Sequence, residues 1–210
     1  MVPGFLVLMV ASLGALLYGE ATGRSWKLVP KMVLSSGFVL VALDHGALES
    51  TYGRWILTAL ILSWIGDLLL GIDRAFLAGL VSFAIAHLAY IAAFVRFGAS
   101  HTVVVFAGIA MLVVGVVVLR WLRPHLSTTM APAVTLYVLI IGSMLSAAFG
   151  TRQPGLLVPA AMFAVSDVAV ARHRFVDPGF INKLLGLPLY FLAQFVLATT
   201  VAVEPVLWFR

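Results

Sequence analysis

The feature that most constrains this chain is a succession of long apolar runs that carry almost no charge. Residues 2–18, 102–119 and 131–151 contain no Asp, Glu, Lys or Arg at all. An α-helix needs about 20 such residues to cross the hydrocarbon core of a bilayer. In water these runs would have no polar face to present. Only 10% of the 210 residues are charged, against about 25% in a soluble domain. Seven or eight spans with short connections use up the whole length. The expectation is an all-α polytopic membrane protein, a compact bundle of about eight transmembrane helices, with residues 1–210 forming a single integral membrane domain.

The spans are expected at 3–19, 28–43, 55–71, 75–97, 102–122, 131–149, 155–172 and 183–203. The breaks between them carry turn chemistry or charge: Asp44-His45-Gly46, Asp73-Arg74, Arg123-Pro124, Gln153-Pro154-Gly155 and Asp177-Pro178-Gly179. No cation precedes the first apolar run, so it reads as a retained helix rather than a secretory signal. Arg24, Lys27, Arg74, Arg120, Arg123, Arg172, Arg174 and Lys183 lie in or beside the connections after the odd-numbered helices. Arg54, Arg96, Arg152 and Arg210 lie on the other side. The positive-inside rule then puts the odd connections in the cytoplasm of a cell membrane and both termini on the opposite face. Trp26, Trp55, Trp121 and Trp208 fall near the ends of spans, as an aromatic belt requires. The net charge of +5 is scattered, with no dense basic run, so it predicts no nucleic-acid partner. The absence of cysteine excludes disulfides and thiolate metal sites. No obligate protein partner and no cofactor are indicated.

A four-plus-four repeat is suggested by Gly66-Asp67 in the third helix and Ser166-Asp167 in the seventh, and by Ala86-His87 in the fourth and Ala193-Gln194 in the eighth. Two parallel four-helix halves would result.

Ionisable residues inside a span cost about 2.5–3.5 kcal/mol at the helix centre and are functional candidates by default. Asp67 and Asp167 are flanked by apolar residues for a turn or more, each near the same end of a helix running in the same direction. Both should therefore sit at similar depth in one leaflet. Lys31 and Ser35 share a face of the second helix, His87 and Tyr90 of the fourth, and Tyr190 and Gln194 of the eighth. Tyr137 and Ser143 add polar atoms to the sixth. Together they predict a polar cleft that opens on the cytoplasmic side and narrows toward mid-membrane. Buried polar residues also glue membrane helices together. Several members of this set, taken singly, have that simpler role open to them.

The stretch Gly66-Asp67-Leu68-Leu69-Leu70, followed by Phe76-Leu77-Ala78-Gly79-Leu80-Val81-Ser82-Phe83-Ala84-Ile85-Ala86-His87-Leu88-Ala89-Tyr90, resembles the signature of the YhhN-like membrane family, which includes animal lysoplasmalogenases. Pro30-Lys31, Tyr137, Met144, Phe163-Ala164-Val165-Ser166-Asp167, Tyr190 and Ala193-Gln194 extend the likeness along nearly the whole chain; Pro30-Lys31 reverses the expected order. The resemblance implies an eight-helix hydrolase acting on a lysophospholipid or related ether lipid with a vinyl-ether bond. It implies Asp67 and Asp167 as the catalytic pair, and Lys31, His87, Tyr90, Tyr137, Ser166, Tyr190 and Gln194 as residues lining the substrate site.

The chemistry suits two carboxylates. A vinyl ether is cleaved by protonating its β-carbon, adding water to the resulting oxocarbenium ion, and collapsing the hemiacetal to aldehyde and alcohol. One group must donate the proton, and an anion must stabilise the cation and orient water, as in glycosidases. The residues alone leave open which Asp does which. They also leave open a proton-coupled transporter, in which Asp and His form a relay, and a lipid-binding membrane protein without turnover. A zinc hydrolase lacks any close His pair.

Overall fold

The computed structural model describes residues 3–202, apart from the side chain of Asp73. Trp208, Glu204, Arg210, residue 2 and the end of the eighth expected span lie outside the described residues. Among the described residues eight α-helices follow one another: α1 Pro3–Ala21, α2 Leu28–Asp44, α3 Thr51–Leu70, α4 Phe76–Phe97, α5 His101–Leu122, α6 Met130–Thr151, α7 Pro154–Ala171 and α8 Phe180–Thr199. All eight are long and apolar enough to cross a membrane, and the chain is an integral membrane protein with the expected helical-bundle fold.

The boundaries follow from local chemistry. α3 begins four residues earlier than its apolar run suggests, because Ser50 caps it: the Ser50 hydroxyl accepts the Gly53 N–H at 2.9 Å. Arg54 is thereby drawn into the first turn, where its side chain donates to the Leu48 carbonyl. α4 stops at Gly98, whose φ of +111° favours glycine. α8 starts at Phe180, immediately after Pro178-Gly179, rather than at Lys183. A five-residue π turn, Arg172–Val176, joins the end of α7 to that loop. π turns are rare and frequently sit beside functional sites.

Packing separates an outer from an inner layer. α5 leans on α6, and Val105, Phe106, Ile109, Val113 and Val117 are exposed. In a bilayer this face meets lipid. The inner layer is built on α3 and α4, with α2, α6, α7 and α8 around them. Close approach of α3 and α4 depends on small residues, as is common in membranes. A Cβ at Gly66 would lie 2.6 Å from the Phe83 ring, and one at Gly79 would lie 2.7 Å from Leu70 Cδ2. Gly66→Ala is therefore expected to lower stability by about 1–3 kcal/mol, read as a fall in the thermal unfolding midpoint in detergent. Phe83, Phe163 and Tyr190 form an aromatic triangle with centroid separations of 5.3–6.0 Å at the junction of α4, α7 and α8. Trp26, Trp55 and Trp121 lie exposed near helix ends.

The two expected halves share one more feature. Gly79 and Gly186 stand eight residues before His87 and Gln194 respectively. Each faces the preceding helix closely: Gly79 meets Leu70 of α3, and a Cβ at Gly186 would meet Ala169 of α7 at 3.1 Å.

Candidate active site

Lys31 and Ser35 are one turn apart on α2, and this places both against Asp67 of α3. Lys31 Nζ lies 3.1 Å from Asp67 Oδ1 and donates to the Asp67 backbone carbonyl, also at 3.1 Å. Asp67 Oδ2 lies 2.6 Å from Ser35 Oγ and accepts the Tyr190 hydroxyl at 2.6 Å. Ser35 Oγ is also 3.0 Å from the Lys31 carbonyl. It has one proton, and a carboxylate is the stronger acceptor. Asp67 is 2% exposed. A cation and two hydroxyl groups surround its carboxyl, the partners that a buried carboxylate requires.

Asp167 of α7 has a different neighbour. Its Oδ2 is 3.3 Å from His87 Nε2 of α4, close but not aligned as a hydrogen bond. His87 is fully buried, and its Nδ1 is 2.6 Å from the Phe83 carbonyl oxygen. A carbonyl can only accept, so Nδ1 carries a hydrogen. Nε2 faces Oδ2 and can hold either a lone pair or a second hydrogen toward it. Phe163 stacks obliquely on the His87 ring at 4.6 Å, and Tyr137 meets it edge-on at 5.5 Å. Asp167 keeps 12% of its side chain exposed.

The partners cross between the halves of the chain. Asp67 in the first half is held by Tyr190 of α8, and Asp167 in the second half is met by His87 of α4. A third bond, from the Tyr90 hydroxyl to Gln194 Oε1 at 2.6 Å, also joins α4 to α8.

One cavity of about 390 Å³ unites the two carboxylates. Lys31, Asp67, Tyr137, Ser166, Asp167 and Tyr190 line it. Its mouth lies at the odd-connection end, among Ser25 and Lys27 before α2 and Asn182 and Lys183 of α8. Its far wall is apolar, with Val118 of α5, Val134, Val138 and Ile141 of α6, and Leu80 of α4. The expected polar cleft therefore opens at the end where the cations concentrate.

His87, Tyr90 and Gln194 are fully buried and do not line this cavity. His87 stands behind Asp167, and the Tyr90–Gln194 pair closes the interior beyond. Ser143 departs further from expectation. It is exposed on the outer face of α6 and donates to the Leu139 carbonyl of its own helix, 2.8 Å away. A serine can satisfy itself on the preceding turn and needs no polar cleft. Glu20, at the mouth, escaped the sequence reading because it sits in the last turn of an otherwise apolar helix and looks like a helix end. Among the described residues no three His, Asp or Glu side chains converge as metal ligands.

The chain matches the family model described as the YhhN family over residues 25–201. A protein of Mycobacterium tuberculosis (strain CDC 1551 / Oshkosh) named lysoplasmalogenase is 35% identical over 180 residues, covering 81% of this chain and 67% of the relative. A protein of Sus scrofa named lysoplasmalogenase TMEM86B is 31% identical over 181 residues, 82% of this chain and 73% of the relative. A protein of Bos taurus named lysoplasmalogenase TMEM86A is 28% identical over 180 residues, with 79% and 73% covered. No solved structure matches the chain.

Proposed function

The chain belongs to the YhhN family, and from that premise we propose that it is a membrane-embedded hydrolase that cleaves the vinyl-ether bond of lysoplasmalogens. The names of its relatives support the substrate class. The observation that carries the chemistry is the pair of intramembrane carboxylates on one cavity, one tied to a lysine and the other to a histidine. The cavity's polar mouth and apolar wall suit a lipid whose reactive bond lies between head group and chain.

The different neighbours of the two carboxylates support different roles for them. Asp167 acts as the general acid and draws its proton through His87, whose Nε2 faces it. It delivers that proton to the β-carbon of the alkenyl chain, and the C=C electron pair forms the new C–H bond. Positive charge develops on the α-carbon and the ether oxygen. Asp67, kept anionic by Lys31, Ser35 and Tyr190, stabilises that oxocarbenium ion. Water adds to the α-carbon and gives up a proton, which returns to the Asp167–His87 pair. The hemiacetal then loses glycerophospho-alcohol and leaves a fatty aldehyde, with one water consumed. Proton transfer by a positioned group is worth about 10²–10⁴-fold in rate. The predominance of cations at the mouth supports a cytoplasmic opening with both termini on the far side.

This mechanism places one solvent-derived hydrogen on the carbon next to the aldehyde. Turnover of lysoplasmalogen in D₂O, with the product reduced as it forms, is expected to yield alcohol carrying one deuterium at C2. A saturated alkyl-ether lysolipid should release nothing. Aldehyde from the vinyl ether without deuterium at C2 would rule out β-carbon protonation.

A further inference from the structure

The chain has three lysines, Lys27, Lys31 and Lys183, and all three line the cavity that holds the two carboxylates. Of the arginines among the described residues, Arg174 alone joins them there. Charge does not require that division. A guanidinium carries the same charge but does not give up its proton and cannot attack a carbonyl. A primary amine does both and condenses with aldehydes. Lysine is thus confined to the cavity in which the bond-cleaving step would release an aldehyde.

The three amines are not equivalent. Lys27 and Lys183 stand at the mouth and both engage Glu20 Oε2, with 38% and 25% of their side chains exposed. Lys31 stands further along α2 and is 13% exposed. Its Nζ lies 3.1 Å from Asp67 Oδ1 and 3.1 Å from the Asp67 carbonyl oxygen. An ammonium has three hydrogens, and among the described residues no third acceptor bonds this one. The same cavity carries the apolar wall of Val118, Val138 and Ile141. In the hydrolase mechanism Asp67 faces the α-carbon, and the α-carbon becomes the aldehyde carbon. The new carbonyl therefore forms beside Lys31.

We propose that Lys31 is a covalent capture site for long-chain aldehydes: its amine condenses reversibly with the product, which then occupies the cavity against the next substrate. The choice of an aldehyde rests on the hydrolase reading above. Asp67 takes a proton from Lys31 Nζ, and the amine lone pair forms an N–C bond to the carbonyl carbon. The C=O π pair moves to oxygen, which takes that proton from Asp67. A second proton passes the same way, from nitrogen through Asp67 to the hydroxyl, which leaves as water. The result is an iminium with a C=N bond and one N–H, and its positive charge stays beside Asp67. Water reverses the sequence, and no other reactant is consumed.

The test supplies the aldehyde directly, so it does not depend on turnover. Full-length protein in detergent is incubated with hexadecanal and cyanoborohydride, which reduces an iminium to a stable secondary amine. Peptide mass spectrometry then locates the hexadecyl group. Wild type is expected to take it up on Lys31 about tenfold faster than on Lys27 or Lys183, because a bound chain holds the carbonyl beside one amine. Propanal has no chain for the apolar wall to hold, and is expected to favour the two more exposed lysines. Lys31→Arg keeps a cation against Asp67 and is expected to leave only the slow label at the mouth. Wild type pretreated with hexadecanal and reductant is expected to release no aldehyde from lysoplasmalogen. Hexadecanal spread evenly over the three lysines, or absent from Lys31, would overturn the proposal, and neither result needs a variant to fold. So would full turnover by protein labelled on Lys31. A labelled Lys31 in an untreated-state protein that never releases aldehyde from lysoplasmalogen would leave the capture site standing and remove the hydrolase. Steady release with Lys31 unlabelled would do the reverse.

Discussion

Asp167→Asn is expected to reduce aldehyde release from lysoplasmalogen by about 10²–10⁴-fold and to leave the thermal unfolding midpoint almost unchanged. The asparagine amide has the same shape as the carboxyl. His87 is fixed by its Nδ1–H on the Phe83 carbonyl, so Nε2 can accept from the new amide N–H. The contact between α4 and α7 therefore survives, and only the transferable proton is lost. His87→Asn should fall in the same direction but less far, because Asp167 can still exchange its proton with cavity water. Single-turnover measurements on detergent-solubilised protein separate this chemical defect from a binding defect. A folded Asp167→Asn protein with near wild-type single-turnover rates would remove Asp167 from the role of acid.

Lys31→Met is expected to be the most damaging single change for stability. It leaves Asp67 with two hydroxyl donors and no cation, at 2% exposure. Breaking a buried pair by removing one partner costs about 3–5 kcal/mol, because the other charge stays behind. Removing both charges is different. Lys31→Met combined with Asp67→Asn should recover most of the lost stability, since the amide keeps hydrogen-bond partners in Ser35 and Tyr190. It should not recover activity, because the anion that stabilises the oxocarbenium ion is gone. The double-mutant cycle, read once as unfolding midpoint and once as aldehyde release, thus separates the pair's structural and chemical contributions. If the double variant were as unstable as Lys31→Met alone, the pairing would not explain the cost.

The sequence carried the spans because a bilayer demands long uncharged runs, and little else satisfies that demand. It missed the start of α3 because a cap is a single side-chain bond, Ser50 to Gly53, that hydropathy does not register. The placement of Asp67 and Asp167 was readable because both stand near the same end of helices pointing the same way, and both do line one cavity. Their partners were only half readable. Lys31 and Ser35 shared a face with nothing to say what they faced. Tyr190 and His87 each cross to the other half of the chain, which no local pattern encodes. Helix rotation decides whether a polar residue points inward, and Ser143 shows how a self-satisfied hydroxyl escapes that logic. His87, Tyr90 and Gln194 are central in the fold without touching the cavity, because membrane interiors use buried polar pairs as supports as well as tools.

The most direct test of two-carboxylate hydrolysis is aldehyde release from lysoplasmalogen by the purified protein, beside Asp67→Asn and Asp167→Asn variants with intact unfolding transitions. The expected result is steady aldehyde release by the wild type and almost none by either variant. A wild type inactive on lysoplasmalogens of every head group and chain length, or either folded variant retaining wild-type turnover, would contradict it.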